Sequence, residues 1–120
     1  MKICVTSLGP DLAAGVDPKF GRCAYLIIVD PDSMEFEAVN NTAAAASGGA
    51  GPSAAKLVTD HGASVILTGN VGPNAFRALS AMNIKIGTGV TGTVREAVEN
   101  FKKGNISFSD SATTADHSGM

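Results

Sequence analysis

The chain has 120 residues, 44% hydrophobic and 17% charged, with a formal net charge of −2. That length fits one domain, able to bury about two-thirds of its unfolded surface, and no run reaches the ~18 apolar residues a membrane helix needs. The weakly acidic balance excludes an electrostatic footprint for nucleic acid or an anionic membrane, so any bound anion must be held by local geometry. Two cysteines, Cys4 and Cys23, are no disulfide framework. The opening MKICVTS carries no signal core, which sets the cytoplasm as the expected location.

In chain order, the β-branched and apolar residues 2–7 predict a first strand. A loop follows over 8–21, punctuated by Gly9-Pro10, Gly15 and Asp17-Pro18. The continuous apolar run 24–30 predicts a buried second strand. Pro31-Asp32-Ser33 turns the chain, and alternation over 34–40 predicts a third strand hairpinned to the second. Residues 41–51 (NTAAAASGGAG) read as a flexible segment, because flanking asparagine and glycine pairs oppose the alanines' helical preference.

A unit of helix plus strand then recurs at a 21-residue spacing. Gly51-Pro52-Ser53-Ala54 opens a helix with proline preset for its first position. Ala54, Leu57, Val58 and His61 share one face, Gly62 is the stop, and a strand follows over 64–67. Gly72-Pro73-Asn74-Ala75 opens the second unit. Ala75, Phe76, Leu79 and Met82 face inward, Asn83 closes the helix, and a strand occupies 84–86. Thr93 and Glu96 form the capping-box pattern of a third helix that buries Val94, Ala97, Val98 and Phe101 and stops at Gly104. The expected domain is 1–106. The polar residues 107–120 bury too little to repay ordering and are expected to be disordered.

Two hairpin links and two right-handed crossovers predict an α/β fold: a five-stranded mixed sheet of order 3-2-1-4-5, strand two antiparallel, with three helices distributed over both faces. The loops 8–23, 40–52, 68–73 and 87–93 then meet at one edge, outside the carboxyl ends of the parallel strands, where open α/β sheets bind ligands. All three helix amino ends face that edge, each expected to offer unsatisfied N–H groups and a positive dipole end to an anion. Glycines crowd the same turns: Gly48, Gly49 and Gly51; Gly69 and Gly72, with Asn70 between them; Gly87, Gly89 and Gly92, with Thr91. A ligand can approach backbone closely where no Cβ intervenes, although each glycine also serves simply to turn the chain.

Cys23 starts the second strand at that edge. It reads either as the thiol placed to meet a metal or sulfide cluster, or as a small half-buried hydrophobe. Cys4 sits mid-strand and reads as core. Antiparallel pairing puts Cys4 near Ile27 and the two sulfurs on the order of 10 Å apart, too far for a disulfide or a shared metal. Arg22 and Lys19 border the edge, and a planar guanidinium suits sulfide or oxo anions. Arg77, His61 and His117 are not read as ligands. The result is no complete Cys/His/carboxylate metal site at ligand spacing.

Two rival motifs fail. Gly87-Thr88-Gly89-Val90-Thr91-Gly92 is a literal G-x-G-x-x-G, but no acidic strand ~20 residues later completes a dinucleotide unit. A two-metal nuclease needs clustered carboxylates, and the first strand, KICVTS, supplies none.

Asp17-Pro-Lys-Phe-Gly-Arg-Cys23 before an apolar strand resembles the His-Phe-Gly-Arg loop of the dinitrogenase iron–molybdenum cofactor family. Residues 49–101, from GAGPSAAKL to VREAVENF, resemble its second half almost throughout. The resemblance spans about residues 1–106. It implies a ribonuclease H-like three-layer architecture and a non-enzymatic binder or carrier of a metal–sulfur cluster. The SLGP start and PKFGR loop look closer to the orange-protein branch, whose members hold a sulfide-bridged molybdenum–copper cluster non-covalently; other members carry iron–molybdenum cofactor or its precursor. A P-loop ATPase of cluster assembly is the partner it implies. The state expected is monomer or weak dimer. Lys19 stands where many relatives have histidine, and an ammonium has no lone pair for a metal.

The expected site is therefore Lys19, Arg22, Cys23, Gly48, Gly49, Gly51, Gly69, Asn70, Gly72, Gly89, Thr91 and Gly92, with Cys23 as the one candidate metal ligand. Three or four charge-assisted hydrogen bonds would give roughly 5–10 kcal/mol, much of it offset by the cost of association. Modest affinity and isolation without the cluster follow. The alternative is a regulatory or small-enzyme domain that binds a phosphate-type anion at the same helix ends.

Overall fold

The computed structural model describes residues 1–41 and 50–112. The elements are β1 (Lys2–Ser7), β2 (Tyr25–Val29), β3 (Phe36–Asn40), α1 (Ala50–Asp60), β4 (Ala63–Leu67), α2 (Pro73–Ala81), β5 (Lys85–Thr88), α3 (Val94–Lys102) and β6 (Ser107–Phe108). The sheet order is β3-β2-β1-β4-β5-β6. β2 runs antiparallel to β1 and β3, while β4 and β5 continue parallel to β1. The expected order of the first five strands is present, but the sheet has six strands.

The sixth strand corrects the five-stranded reading and falls in the segment read as a polar tail. Ser107 and Phe108 pair antiparallel with Thr88 and Gly87. Ser109 N donates to Ile86 O at 2.7 Å, and Lys85 Nζ lies 4.9 Å from the Phe108 ring centroid. Ile106 packs against the core from the same stretch. A two-residue strand held by backbone bonds and one apolar anchor leaves no periodic trace. Residues 113–120, with His117, lie outside the described residues.

The core has two layers because strand side chains alternate between faces. One layer holds Cys4, Leu26, Ile28, Ile66 and Ile86 beneath Ala54, Ala55 and Val58 of α1 and Ala75 and Leu79 of α2. The other holds Ile3, Val5, Ile27, Val29, Val65 and Leu67 beneath Val94, Ala97 and Val98 of α3, with Leu12 and Val16 of the first loop. Cys4 pairs with Ile28, one residue from the expected Ile27. That one-residue step decides which layer a side chain enters.

Helix ends follow the local chemistry. Asn83, at φ 59°, takes the left-handed position after α2, and Ile84 N bonds back to Leu79 O. Thr93 Oγ1 accepts from Glu96 N, while Glu96 Oε1 accepts from Thr93 N at 2.8 Å, the full capping box. Thr93→Ala is expected to cost about 1 kcal/mol of stability. Urea denaturation checks it, and no change would mean the strap described below caps the helix alone.

Candidate functional site

From β1 the chain enters a loop that crosses the rim as a strap. Short bridges pair Ser7 with Val16, Gly15 with Thr93, and Lys19 with Asn70. Asp17 N donates to Thr6 O, Val16 N to Gly92 O, Asn70 N to Pro18 O and Phe20 N to Asn70 O. The buried Thr6 hydroxyl donates to Asp17 O at 2.6 Å and sits 2.9 Å from Thr68 Oγ1. Behind the strap, Gly89 N and Val90 N bond to Gly69 O and Thr68 O. The loops 8–23, 68–73 and 87–93 therefore do converge. Residues 42–49, with Gly48 and Gly49, lie outside the described residues.

The three helix ends are not equivalent, and the expectation of three anion-seeking termini is corrected. At α3, Val94 N donates to Ala14 O and Arg95 N to Leu12 O, while the capping box takes the next donors. That end is closed by the strap. At α2, Gly72 is the N-cap, no side chain caps it, and Pro73 brings no N–H. The first bond into the helix is Phe76 N to Gly72 O. Asn74 and Ala75 N–H have no acceptor among the described residues. α1 arrives beside this end: a Cβ on Gly51 would stand 2.8 Å from Ala75 Cβ.

The glycines serve chain-on-chain contact more than ligand approach. A Cβ on Gly69 would stand 2.7 Å from Pro18 Cα, so the crossing of strap and turn requires glycine. A Cβ on Gly87 would meet Ile106 Cγ2 at 2.6 Å. Gly92 lies at φ 87° against Glu96, whereas Gly89, at φ 70°, faces open space. Thr91 and Gly92 line a hollow of about 450 Å³ with Glu96, Glu99, Asn100 and Lys103. Its two carboxylates make it a poor seat for an anion. Lys19, Asn70, Gly72 and Gly51 belong to the α2 side instead, where no acid caps the helix.

Lys19 and Arg22 are exposed, whereas Cys23 is fully buried in the layer under α1 and α2. Lys19 N donates to Asp17 Oδ1 at 3.0 Å. The Cys23 thiol is pushed up from 9.0 to about 12, first by burial and then by the Asp17 charge. Cys4 is raised by burial and by Cys23. Both thiols are free and neutral, and a neutral thiol is neither nucleophile nor good ligand. Among the described residues no three His, Cys, Asp or Glu side chains gather to hold a metal ion.

Two residues escaped the sequence reading. Asp17 is 96% buried, and Asn41, 4% exposed, fastens the strap's end. Asn41 Nδ2 donates to Gly21 O at 3.0 Å and to Cys23 O at 2.9 Å, and lies 3.5 Å from Cys23 Sγ. An asparagine next to alanines and glycines signals a loop, and nothing local marks it as a clamp on residues 20 positions away.

The buried thiols set an alkaline limit. Their folded pKa values lie above the unfolded value, so below about pH 9 neither state ionises and stability is intact. As pH rises from 9 toward 12 the unfolded chain ionises first. Stability falls by about 1.4 kcal/mol per pH unit per thiol. Urea titrations between pH 8.5 and 10.5 should show this slope, reduced by one thiol's share in Cys23→Ala; equal slopes in both proteins would contradict it.

Fold and site define a class: a small three-layer α/β domain in which, among the described residues, the α2 amino end has no side-chain cap and no side-chain metal cage gathers. The chain belongs to the dinitrogenase iron–molybdenum cofactor family, whose sequence pattern matches residues 1–104. It is similar to the orange protein of Desulfovibrio gigas, solved in its apo form, at 43% identity over 94% of this chain and 96% of that one, with a TM-score of 0.91. A putative NifB protein from Thermotoga is similar at 36% identity, covering 89% and 91% of the two chains, with a TM-score of 0.78. An uncharacterized protein of Methanocaldococcus jannaschii is 29% identical over 94 residues, 76% of this chain and 80% of that one. No described helix is long and apolar enough to cross a membrane.

Proposed function

We propose that this chain binds and carries an anionic metal–sulfur cluster, non-covalently, at the open amino end of α2. The observation that carries the reading is that end itself. Pro73 at the first turn, an N-cap glycine and no capping side chain leave the N–H of exposed Asn74 for an outside acceptor, with the unbonded Ala75 N–H beside it against Gly51 of α1. Lys19 is held beside it by the bridge to Asn70, and Arg22 lies three residues on. Sulfide and oxo groups accept hydrogen bonds from such donors without displacing any bond of the fold.

Direct ligation by side chains fits less well. Cys23 is neutral and buried, Lys19 cannot ligate, and no ligand triad exists among the described residues. The cluster is thus cargo bound as a preformed anion. The family's description names an iron–molybdenum cofactor, whereas likeness to an orange protein favours the molybdenum–copper sulfide cluster, which is the proposed cargo. Carriage asks no chemistry of the protein, and a P-loop ATPase of cluster assembly is the proposed partner, in the cytoplasm.

Titration with tetrathiomolybdate and cuprous ion under anaerobic conditions tests the reading. Visible sulfide-to-metal charge-transfer bands that saturate near one cluster per chain and co-elute with the protein are expected. Colour that elutes separately would overturn it. Saturable binding of inorganic phosphate in place of the coloured species would transfer the site to a phosphate-type ligand.

A further inference from the structure

We infer that Asn41 is the positioning residue that keeps the Gly21–Cys23 corner closed over the Cys23 thiol, so that this sulfur becomes available only when the Asn41 clamp lets go. The inference uses the proposed cluster site for its purpose, but its physical content stands without it.

One residue makes the whole clamp. The two Nδ2 hydrogens are shared among Gly21 O, Cys23 O and Cys23 Sγ at 3.0, 2.9 and 3.5 Å, and Asn41 N donates to Ala24 O at 3.2 Å. With both corner carbonyls on the nitrogen side, the amide orientation is settled by the bonds themselves. The other side of the amide is the unusual part. Asn41 Oδ1 is the one buried side-chain polar atom among the described residues with no hydrogen-bond partner.

Buried acceptors are rarely left unmatched, and each exception calls for an explanation. In the closed corner the orphan opposes closure. Opening lets water reach Oδ1, offsetting part of what the Nδ2 bonds lose. The clamp is thus weaker than its three contacts suggest. The adjoining residues favour a local event, because Gly21, at φ 99°, is a backbone hinge and Arg22 and Ala24 are already exposed. Cys4, in the middle of β1 with neighbours on both sides, has no such route. Opening at Gly21–Cys23 would bring a thiol to the strap that carries Lys19, beside the α2 end.

Modification of the folded, ligand-free full chain by N-ethylmaleimide, with peptide mapping by mass spectrometry, tests this directly. Asn41→Ala and Asn41→Asp should each speed alkylation of Cys23 at least tenfold while Cys4 stays protected. Val98→Ala, a core change in the opposite layer, should move both cysteines together, only as far as global stability falls. An unchanged Cys23 rate, or a rise matched by Cys4, overturns the clamp. If the variants do not fold, the wild-type chain decides by NMR: the Asn41 Nδ2 protons should exchange slowly, in step with the Asn41 backbone amide that donates to Ala24 O, and ahead of the amides of β1. Exchange as fast as in a free amide overturns the proposal. These readings need no ligand, so a wild-type chain that stays colourless with tetrathiomolybdate and copper would count against the cluster alone.

Discussion

Gly69→Ala is expected to destabilise the fold by about 3 kcal/mol, the upper part of the range for overpacking, and to detach the strap from the α2 turn. The added methyl would lie 2.7 Å from Pro18 Cα, 2.8 Å from Pro18 O and 2.9 Å from Pro18 Cβ. None of these atoms is the free end of a flexible side chain. Pro18 has a ring-locked φ, and its carbonyl accepts from Asn70 N at 2.8 Å. Relief therefore requires the strap and turn to separate, which breaks the Asn70 N and Phe20 N bonds together. Gly89→Ala is the control: it brings backbone strain at φ 70° but meets nothing within 4 Å, and should cost about 1 kcal/mol. Urea denaturation of both variants decides it. Equal losses would mean that the close approach is absorbed elsewhere.

Asn74→Asp should separate stability from binding. A carboxylate in the first turn of α2 interacts favourably with the helix dipole, by about 0.3–1 kcal/mol, and it keeps the i+3 neighbour Arg77, which now donates to Asn74 Oδ1. Stability is thus expected to hold or rise. The same charge stands where an anionic ligand would sit, and repulsion on the order of 1–3 kcal/mol across a few ångströms of partly screened space lowers affinity by about ten- to a hundredfold. Thr91→Asp, on the side already carrying Glu96 and Glu99, should leave affinity nearly unchanged. Parallel anion titrations and thermal melts of the two variants give the answer. Loss of binding in Thr91→Asp but not in Asn74→Asp would move the site to the α3 side.

The sequence was most legible where pattern and end signals agreed. The helix ending at Asn83, the Thr93–Glu96 box and the buried run of β2 each combine a periodic core face with a residue whose backbone chemistry stops or starts an element. Sheet order followed from connection lengths. β6 was hidden because Ser107 and Phe108 have no periodicity, and their place comes from Gly87 accepting Ile106 against it. The rim was half legible. Three of its loops do meet, but the donors of α3 go to Ala14 and Leu12, a pairing between residues 80 positions apart that no local signal announces. Glycine counts misled for a related reason. Gly69 and Gly51 are small because Pro18 and Ala75 lie against them, and sequence alone does not distinguish a neighbouring chain segment from a ligand.

The central claim is that one helix end, α2, is the anion seat of the rim. An amide-resolved NMR titration of the full chain with tetrathiomolybdate and cuprous ion addresses it most directly. Saturable shifts centred on the Gly72, Asn74 and Ala75 amides, extending to Lys19 and Asn70, are predicted. Shifts centred on Val94–Glu96, or saturable binding that leaves Asn74 and Ala75 untouched, would contradict it.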